Sequence, residues 1–376
     1  MEHYLDNSAT TRVCPEAAEA ALKAMTENYG NPSSTHTKGR EAKRLLDESR
    51  KQVAAALGCT PQELVFTSCG SESDNWAILN GAELMHRRGK HVISSMVEHD
   101  AVLKSLDELE RRGYEVTRLR PDKTGAIPVQ SVLEALRPDT VLVSLMLVNN
   151  ETGAVTDIAA IARAIKKAAP QVLLHTDGVQ AFMKLPFTAK SLGADMISIS
   201  GHKIHAPKGI GALYITHGLK LKPFIVGGIS GVGPPGGHRG HAADSRLRRR
   251  LRRGIGAGSR RILSAWPRSA AASEPLQREI PELVVIGGGA PHILSISLPG
   301  WRSEVLMNFL EEREIYVSKS SACKKGGRSH VLEAMGLEPR VIDGAIRIGL
   351  SRFSTREDIY ALRDGLREAR ERLAHV

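Results

Sequence analysis

Between Glu63 and Ile215 short apolar runs alternate with stretches of helical spacing, and this alternation leaves the chain few architectures to adopt. Strands are expected at 63–68, 91–94, 115–118, 141–148, 172–175, 196–200 and 211–215, with helices from Ala101, from Val129 and over 158–168. Strands that are apolar throughout, and not in alternation, need cover on both faces, so the expectation is an α/β domain around a mainly parallel sheet. Ligands of such sheets gather at the carboxyl ends of the strands. Ser68-Cys69-Gly70-Ser71, His99, Asn149-Asn150, Asp177-Gly178-Val179-Gln180 and Ser200 to Lys203 all follow expected strand ends.

The run Ser200-Gly201-His202-Lys203 carries the clearest chemistry. A lysine beside a strand end is ordinarily a solvated surface charge. Here a hydroxyl and an imidazole flank it as donors for an anion, and a desolvated Lys203 amine can condense with an aldehyde. An aldehyde bearing a phosphate is pyridoxal phosphate, whose ring nitrogen calls for an acidic partner on a neighbouring strand end. Asp177, after the apolar run Val172-Leu173-Leu174, is placed to supply it. The turn at Cys69-Gly70-Ser71, between a strand and a helix, leaves backbone N–H groups free to face a phosphate.

A chain of 376 residues can bury a full core and is expected to form one large and one smaller domain. Four cysteines, Cys14, Cys59, Cys69 and Cys323, show neither CxxC spacing nor paired histidines, so neither a zinc site nor a disulfide framework is expected. The first residues lack a basic and apolar leader, and the longest apolar run, Val141 to Val148, is interrupted by Ser144; the expectation is a cytoplasmic protein without a membrane span. The net charge of +11 is local: residues 229–275 hold ten arginines, no lysines and two acids, a net +8. That concentration argues against a general nucleic-acid binder, and the segment lacks the interleaved aromatics of a nucleic-acid arm.

The set Tyr4-Leu5-Asp6-Asn7, Gly30-Asn31-Pro32-Ser33-Ser34, Ser71-Glu72-Ser73-Asp74-Asn75, Glu98-His99, Val148-Asn149-Asn150-Glu151, His175-Thr176-Asp177 with Gln180, Ser200-Gly201-His202-Lys203 and Ser320-Ser321-Ala322-Cys323 resembles the cysteine desulfurases, members of the class V aminotransferase group of pyridoxal-phosphate enzymes. The resemblance covers Tyr4 to about Gly228 and resumes near Pro281. It implies fold type I, with a seven-stranded, mainly parallel sheet in a large domain (15–255) and a smaller α+β domain (1–14 with 256–376). It further implies that Lys203 holds the cofactor covalently, Asp177 pairs with the ring nitrogen, and Gln180 and Asn150 touch the ring hydroxyl. His99 would stack on the ring and move protons, while Gly70, Ser71, Ser200 and His202 would bind the phosphate. Arg347 would clamp the substrate carboxylate, a task suited to a guanidinium fork, with Asn31 nearby.

Cys323 would be the nucleophile. It lies in a polar, glycine-rich loop with Lys319, Lys324, Lys325 and Arg328 around it, a setting that favours thiolate; Cys14, Cys59 and Cys69 lack a comparable one. The implied reaction takes sulfur from L-cysteine, leaving L-alanine and a persulfide on Cys323 for an acceptor such as an iron–sulfur scaffold or a tRNA-thiolation enzyme. A homodimer is implied as well.

The chain departs from the family pattern at three places. Cys69 stands where glycine is usual, which would strain the backbone if its φ were positive. The loop after Cys323 is short. Residues 229–275 lack the expected consensus of the type Arg-Ser-Gly-Thr-Glu-Asn, whose threonine would reach the cofactor phosphate across a dimer interface. Codons exist for Ser230 to Arg249 that, read one base later, give AGSGLRAGTEDTPQIRGFG, which contains that text. A frame disturbance there predicts that residues 229–275 have no native place in a core. Two other readings stay open: another class V enzyme, an aminotransferase or selenocysteine lyase, and a non-catalytic scaffold of the same fold.

Overall fold

The computed structural model describes residues 1–226, 269–319 and 327–373. Its N-terminal strand β1 (His3–Tyr4) pairs in parallel with β11 (Ile315–Tyr316), more than 300 positions away, so the chain begins in what is otherwise C-terminal structure. The large sheet follows, in the order β2 (Leu64–Thr67), β8 (Gly211–Ile215), β7 (Met196–Ser200), β6 (Leu173–Asp177), β5 (Thr140–Met146), β3 (His91–Ser95) and β4 (Glu115–Leu119). The five strands β3 to β7 run parallel, and β8 is antiparallel to both of its neighbours.

Burial explains the sequence of each strand. Every residue of β5, TVLVSLM, is buried, as expected for an inner strand covered on both faces, whereas the edge strand β4 exposes Glu115 and half-buries the three residues after it. The helix Ile158–Ala168 turns Ile158, Ile161, Ala162 and Ile165 to the sheet at helical spacing, and Asp157 Oδ1 caps it by accepting from the Ala160 N–H at 2.9 Å. The helix Thr37–Leu57 ends at Gly58, whose φ of 70° is the left-handed cap that glycine adopts without strain.

A second core lies under the sheet β12 (Ser318–Lys319), β13 (Ala345–Gly349), β10 (Ile293–Ser297) and β9 (Val284–Ile286), all antiparallel neighbours. The helices Ser303–Glu311 and Arg356–Arg372 pack on it, and Leu5 from the N-terminus is fully buried there beside Leu310, Ile348 and Leu366. The helix Ser269–Glu279 also reaches this core, with Ala272 3% and Leu276 0% exposed. That corrects one expectation in part: Ala272, inside the segment 229–275, does have a place in a core, because this helix packs against β10. Residues 229–268 lie outside the described residues, as does the boundary at 255/256.

Candidate active site

β6 and β7 end side by side, with Asp177 opposite Ser198, and the chain leaving β7 winds into a single 3₁₀ turn, Gly201–Lys203. That turn aims Lys203 back across the strand ends. Its Nζ donates to the carbonyls of Ser8 and Ala9, both at 2.7 Å. The N-terminal segment is held in place for this: Thr11 N–H and Oγ1 both donate to His202 O, and Thr11 Oγ1 accepts from the His205 N–H at 2.8 Å.

A cavity of about 360 Å³ opens beside Lys203 at the carboxyl ends of the strands. Gly70, Ser71, His99, Asn150, Asp177 and Gln180 line it, as do Ser200, His202 and Arg347. Every cofactor residue expected from sequence therefore meets in one place. Asn31 does not: it is exposed, and its Oδ1 accepts from the Ser33 N–H at 2.9 Å, because Asn31 closes a turn within its own loop. Cys323 lies outside the described residues. The condition set for strain at Cys69 is not met. Its φ of −168° is ordinary extended backbone, so no strain follows, and it lines the cavity beside Gly70 and Ser71, as the turn there implies.

The floor of the site is a buried polar lane. Ser144 Oγ meets His175 Nδ1 at 2.9 Å, His175 Nε2 meets Ser198 Oγ at 3.0 Å, and Asp74 Oδ1 lies 3.6 Å from the same nitrogen. Burial drives the His175 imidazole down to about 3, so it is neutral. Burial and then the Asp177 charge push Asp74 well above the carboxylate range. Asp177 is raised by burial too, while His99 and Lys203 pull it back, and its Oδ1 accepts from the Val179 N–H at 2.8 Å. Two buried carboxyls in each other's field cannot both ionise cheaply; the Val179 N–H and the Lys203 ammonium favour charge on Asp177, whereas Asp74 Oδ1 has no hydrogen-bond partner among the described residues.

His99 caps the helix Asp100–Arg111, its Nδ1 accepting from the Ala101 N–H at 3.1 Å, which leaves the ring proton on Nε2. His202 shares Nδ1 with Thr10 Oγ1 at 3.2 Å, and burial, with Lys203 and Lys208 adding to it, lowers this imidazole to about 4. Asn149 and Asn150 divide their work. Asn149 Oδ1 accepts from the N–H groups of Glu151 and Thr152, stapling the loop, while Asn150 lends its carbonyl to Arg347 Nη1 at 2.9 Å. Arg347, 3% exposed, also donates from Nη2 to Asp6 Oδ1 at 3.1 Å and to Ser318 Oγ at 2.7 Å.

The roles of Asp6, Ser8, Asp74 and Glu98 were not legible in sequence. Glu98 accepts from Ser95 Oγ and from the Met146 N–H, and burial carries it up to about 8. Asp6, Asp74 and Glu98 stand in motifs that carry the resemblance, but what each does depends on partners from distant segments: Arg347 for Asp6, Asp177 for Asp74, Met146 for Glu98.

The residues present fit pyridoxal phosphate. Ser200 Oγ is buried and has no hydrogen-bond partner among the described residues, an orphan that a phosphate oxygen would satisfy. At Gly70 an added Cβ would come within 2.8 Å of Val179 Cγ2, so only glycine keeps this turn open. Asp177, buried with the Lys203 ammonium in its field, suits a protonated ring nitrogen. Among the described residues no three His, Cys, Asp or Glu groups are placed to hold a metal, and no helix is long and apolar enough to cross a membrane.

A lysine and an aspartate at adjacent strand ends of this sheet, above a glycine turn with an orphan serine, define a pyridoxal-phosphate enzyme of fold type I. Residues 3–232 match the family model of the class-V aminotransferases, and the chain belongs to that family. "Cysteine desulfurase 2" of Trichormus variabilis is 38% identical over 374 residues, 95% of this chain and 90% of its own. Among solved structures, a "NifS-like protein" superposes with a TM-score of 0.87 at 32% identity, covering 99% of this chain and all of that one. "SspA in complex with cysteine" superposes with a TM-score of 0.77 at 30% identity, covering 94% of this chain and 100% of that one.

Proposed function

We propose that this chain is a pyridoxal-phosphate-dependent cysteine desulfurase, in which Lys203 anchors the cofactor and Cys323 takes the sulfur of L-cysteine. The observation that carries the reading is the convergence of Lys203, Asp177, His99 and the Gly70 turn on one cavity at the strand ends. Asp177 would hold the ring nitrogen, Gln180 and Asn150 the ring oxygen, and Gly70, Ser71, Ser200 and His202 the phosphate. When bound, pyridoxal phosphate supplies an electron sink for charge developing at the substrate's α-carbon.

Lys203 Nζ is the base for the α-proton, and the backbone carbonyls that hold it also keep it within the cavity. His99 Nε2–H is the second proton carrier. Arg347 receives the substrate carboxylate; Asp6 and Ser318 hold the fork in place from behind. Cys323 Sγ, as thiolate, attacks the substrate sulfur; the carbon–sulfur bond breaks with its electron pair going to the β-carbon, and protonation there together with return of the α-proton from Lys203 yields L-alanine. The sulfur stays on Cys323 as a persulfide for an acceptor protein, of which an iron–sulfur scaffold or a tRNA-thiolation enzyme is the expected kind.

In this reading a large domain spans residues 15–255 and a small one 1–14 with 256–376; the second core, Leu5 with residues 272–369, supports the small one, while Ala290, Ile293, Val331 and Ala334 pack into the first core. A homodimer in the cytoplasm is the working assembly in this reading. The family match ends at residue 232, inside the arginine-rich segment, in keeping with a frame disturbance beginning near Ser230.

The test is an absorbance spectrum of the chain with pyridoxal phosphate, before and after L-cysteine, against Lys203→Ala. A band that needs Lys203 and changes with cysteine supports the reading, and its absence from the folded chain overturns it. Sulfide release under reducing conditions that survives Cys323→Ala would favour another class V activity.

A further inference from the structure

Lys184 is a buried lysine that the reaction above does not use. It is 1% exposed, lies in the turn after β6, and its Nζ donates to Gln180 Oε1 at 3.0 Å. Gln180 is itself buried, and its Nε2 donates to Ser8 O at 2.9 Å, the same carbonyl that accepts Lys203 Nζ. A carbonyl can only accept, so the nitrogen end of the Gln180 amide must face Ser8 and the oxygen end must face Lys184.

The backbone is bent to achieve this. Met183 has a φ of 61°, a left-handed conformation that a methionine rarely takes, and the turn is closed by the Lys184 and Leu185 N–H groups donating to Ala181 O. The bend brings Lys184 back over the residue four positions earlier. Lys203 and Arg347 are the cations facing Lys184, and His202, His205 and His292 are the imidazoles within its field. Burial, then those two cations, hold its ammonium well below the usual lysine range.

We propose that Lys184 is a positioning residue: it pins the oxygen of the Gln180 amide so that the N–H₂ end faces the Lys203 side of the cavity. There it meets the ring oxygen of the cofactor as a donor. Turned over, the amide would present its own oxygen to an oxyanion. This rests on the cofactor reading above.

An N–H donor to the ring oxygen draws negative charge away from the neighbouring protonated nitrogen, and losing it favours the protonated form. The experiment is a pH titration of the visible band of the cofactor-loaded protein, for the unaltered chain, Lys184→Met, Gln180→Leu and the double variant. Lys184→Met should raise the midpoint by at least about half a pH unit, about threefold in the protonation constant. Gln180→Leu should raise it similarly, and adding Lys184→Met to Gln180→Leu should change nothing further. Lys184→Gln, an uncharged donor, should return the midpoint toward that of the unaltered chain.

An unmoved midpoint in Lys184→Met overturns the proposal. So does an equal shift from Lys184→Met in the Gln180→Leu background, which would mean that Lys184 acts by its charge and not through the amide. If Lys184→Met does not fold, a Lys184→Gln midpoint displaced as far as that of Gln180→Leu overturns it equally. Absence of any Lys203-dependent band in the unaltered chain is a different result: it removes the cofactor reading itself, and this proposal with it.

Discussion

Replacing Glu98 by glutamine should lift a pH-dependent burden from the folded state. Burial raises this carboxyl to about 8; hydrogen bonds from Ser95 and Met146 oppose the rise, and Asp177 adds to it. In the unfolded chain a glutamate titrates at about 4.3. Between those values the folded protein keeps a proton that the unfolded chain has released. The stability is therefore full below the unfolded value and falls as pH rises through the window. Each unit costs about 1.4 kcal/mol, so from about pH 5.5 to about pH 7.5 Glu98 removes about 2.7 kcal/mol. The amide keeps an acceptor for Ser95 and Met146 and has no proton to lose. Urea unfolding of the cofactor-free protein across this range reads the effect directly. The stability of Glu98→Gln relative to the unaltered chain should grow by about 2–3 kcal/mol toward the higher pH, on top of any constant offset from the unpartnered N–H. His175, His202 and His205, lowered to about 3, 4 and 4, have the opposite slope, but they are common to both proteins and cancel in the difference. A gap that is flat with pH, or that widens toward acid, would refute the reasoning.

Other outcomes are expected elsewhere. Asp6→Asn breaks the ion pair behind Arg347 and should raise KM for L-cysteine more than it lowers kcat, measured by steady-state sulfide release. Leu366→Ala, at a fully buried position of the second core, should cost about 2–5 kcal/mol in urea unfolding. Gly58→Ala should cost about 1 kcal/mol or more, since φ is 70° and the new Cβ would meet Thr188 Cβ at 2.6 Å; a neutral effect on Tm would contradict the described turn. Alkylation of Cys69, followed by peptide mass, should be slowed by bound pyridoxal phosphate while that of Cys59, whose thiol burial lifts to about 12, stays negligible with or without it.

Much of the fold was legible because its cause is local. The helix over Ile158–Ala168 and the strands Met196–Ser200 and Gly211–Ile215 fall where the apolar runs and their punctuation put them. Boundaries drifted where the tertiary setting overrides the pattern. β5 stops at Met146, two residues before the apolar run does, because Leu147 donates to Asp177 O and Asn149 then turns the chain. β6 continues past His175 to Asp177, since pairing with β7 extends the strand through polar residues that propensity alone would end.

What the sequence by itself determined is the chemistry on offer: a lysine, an aspartate, a glycine turn and a serine, each at the end of an apolar strand, where a parallel sheet presents its ligand face. Only the tertiary structure decided how those groups are tuned. Asp74 next to Asp177, Asp6 behind Arg347 and the Ser8 carbonyl between Gln180 and Lys203 are pairings between segments that no spacing connects, and Lys184 reaches Gln180 only because the turn at Met183 bends the chain back. Sequence sets which side chains exist and which strands they end; proximity, burial and the loss of water, which together move their protons, arise only when those strands lie side by side.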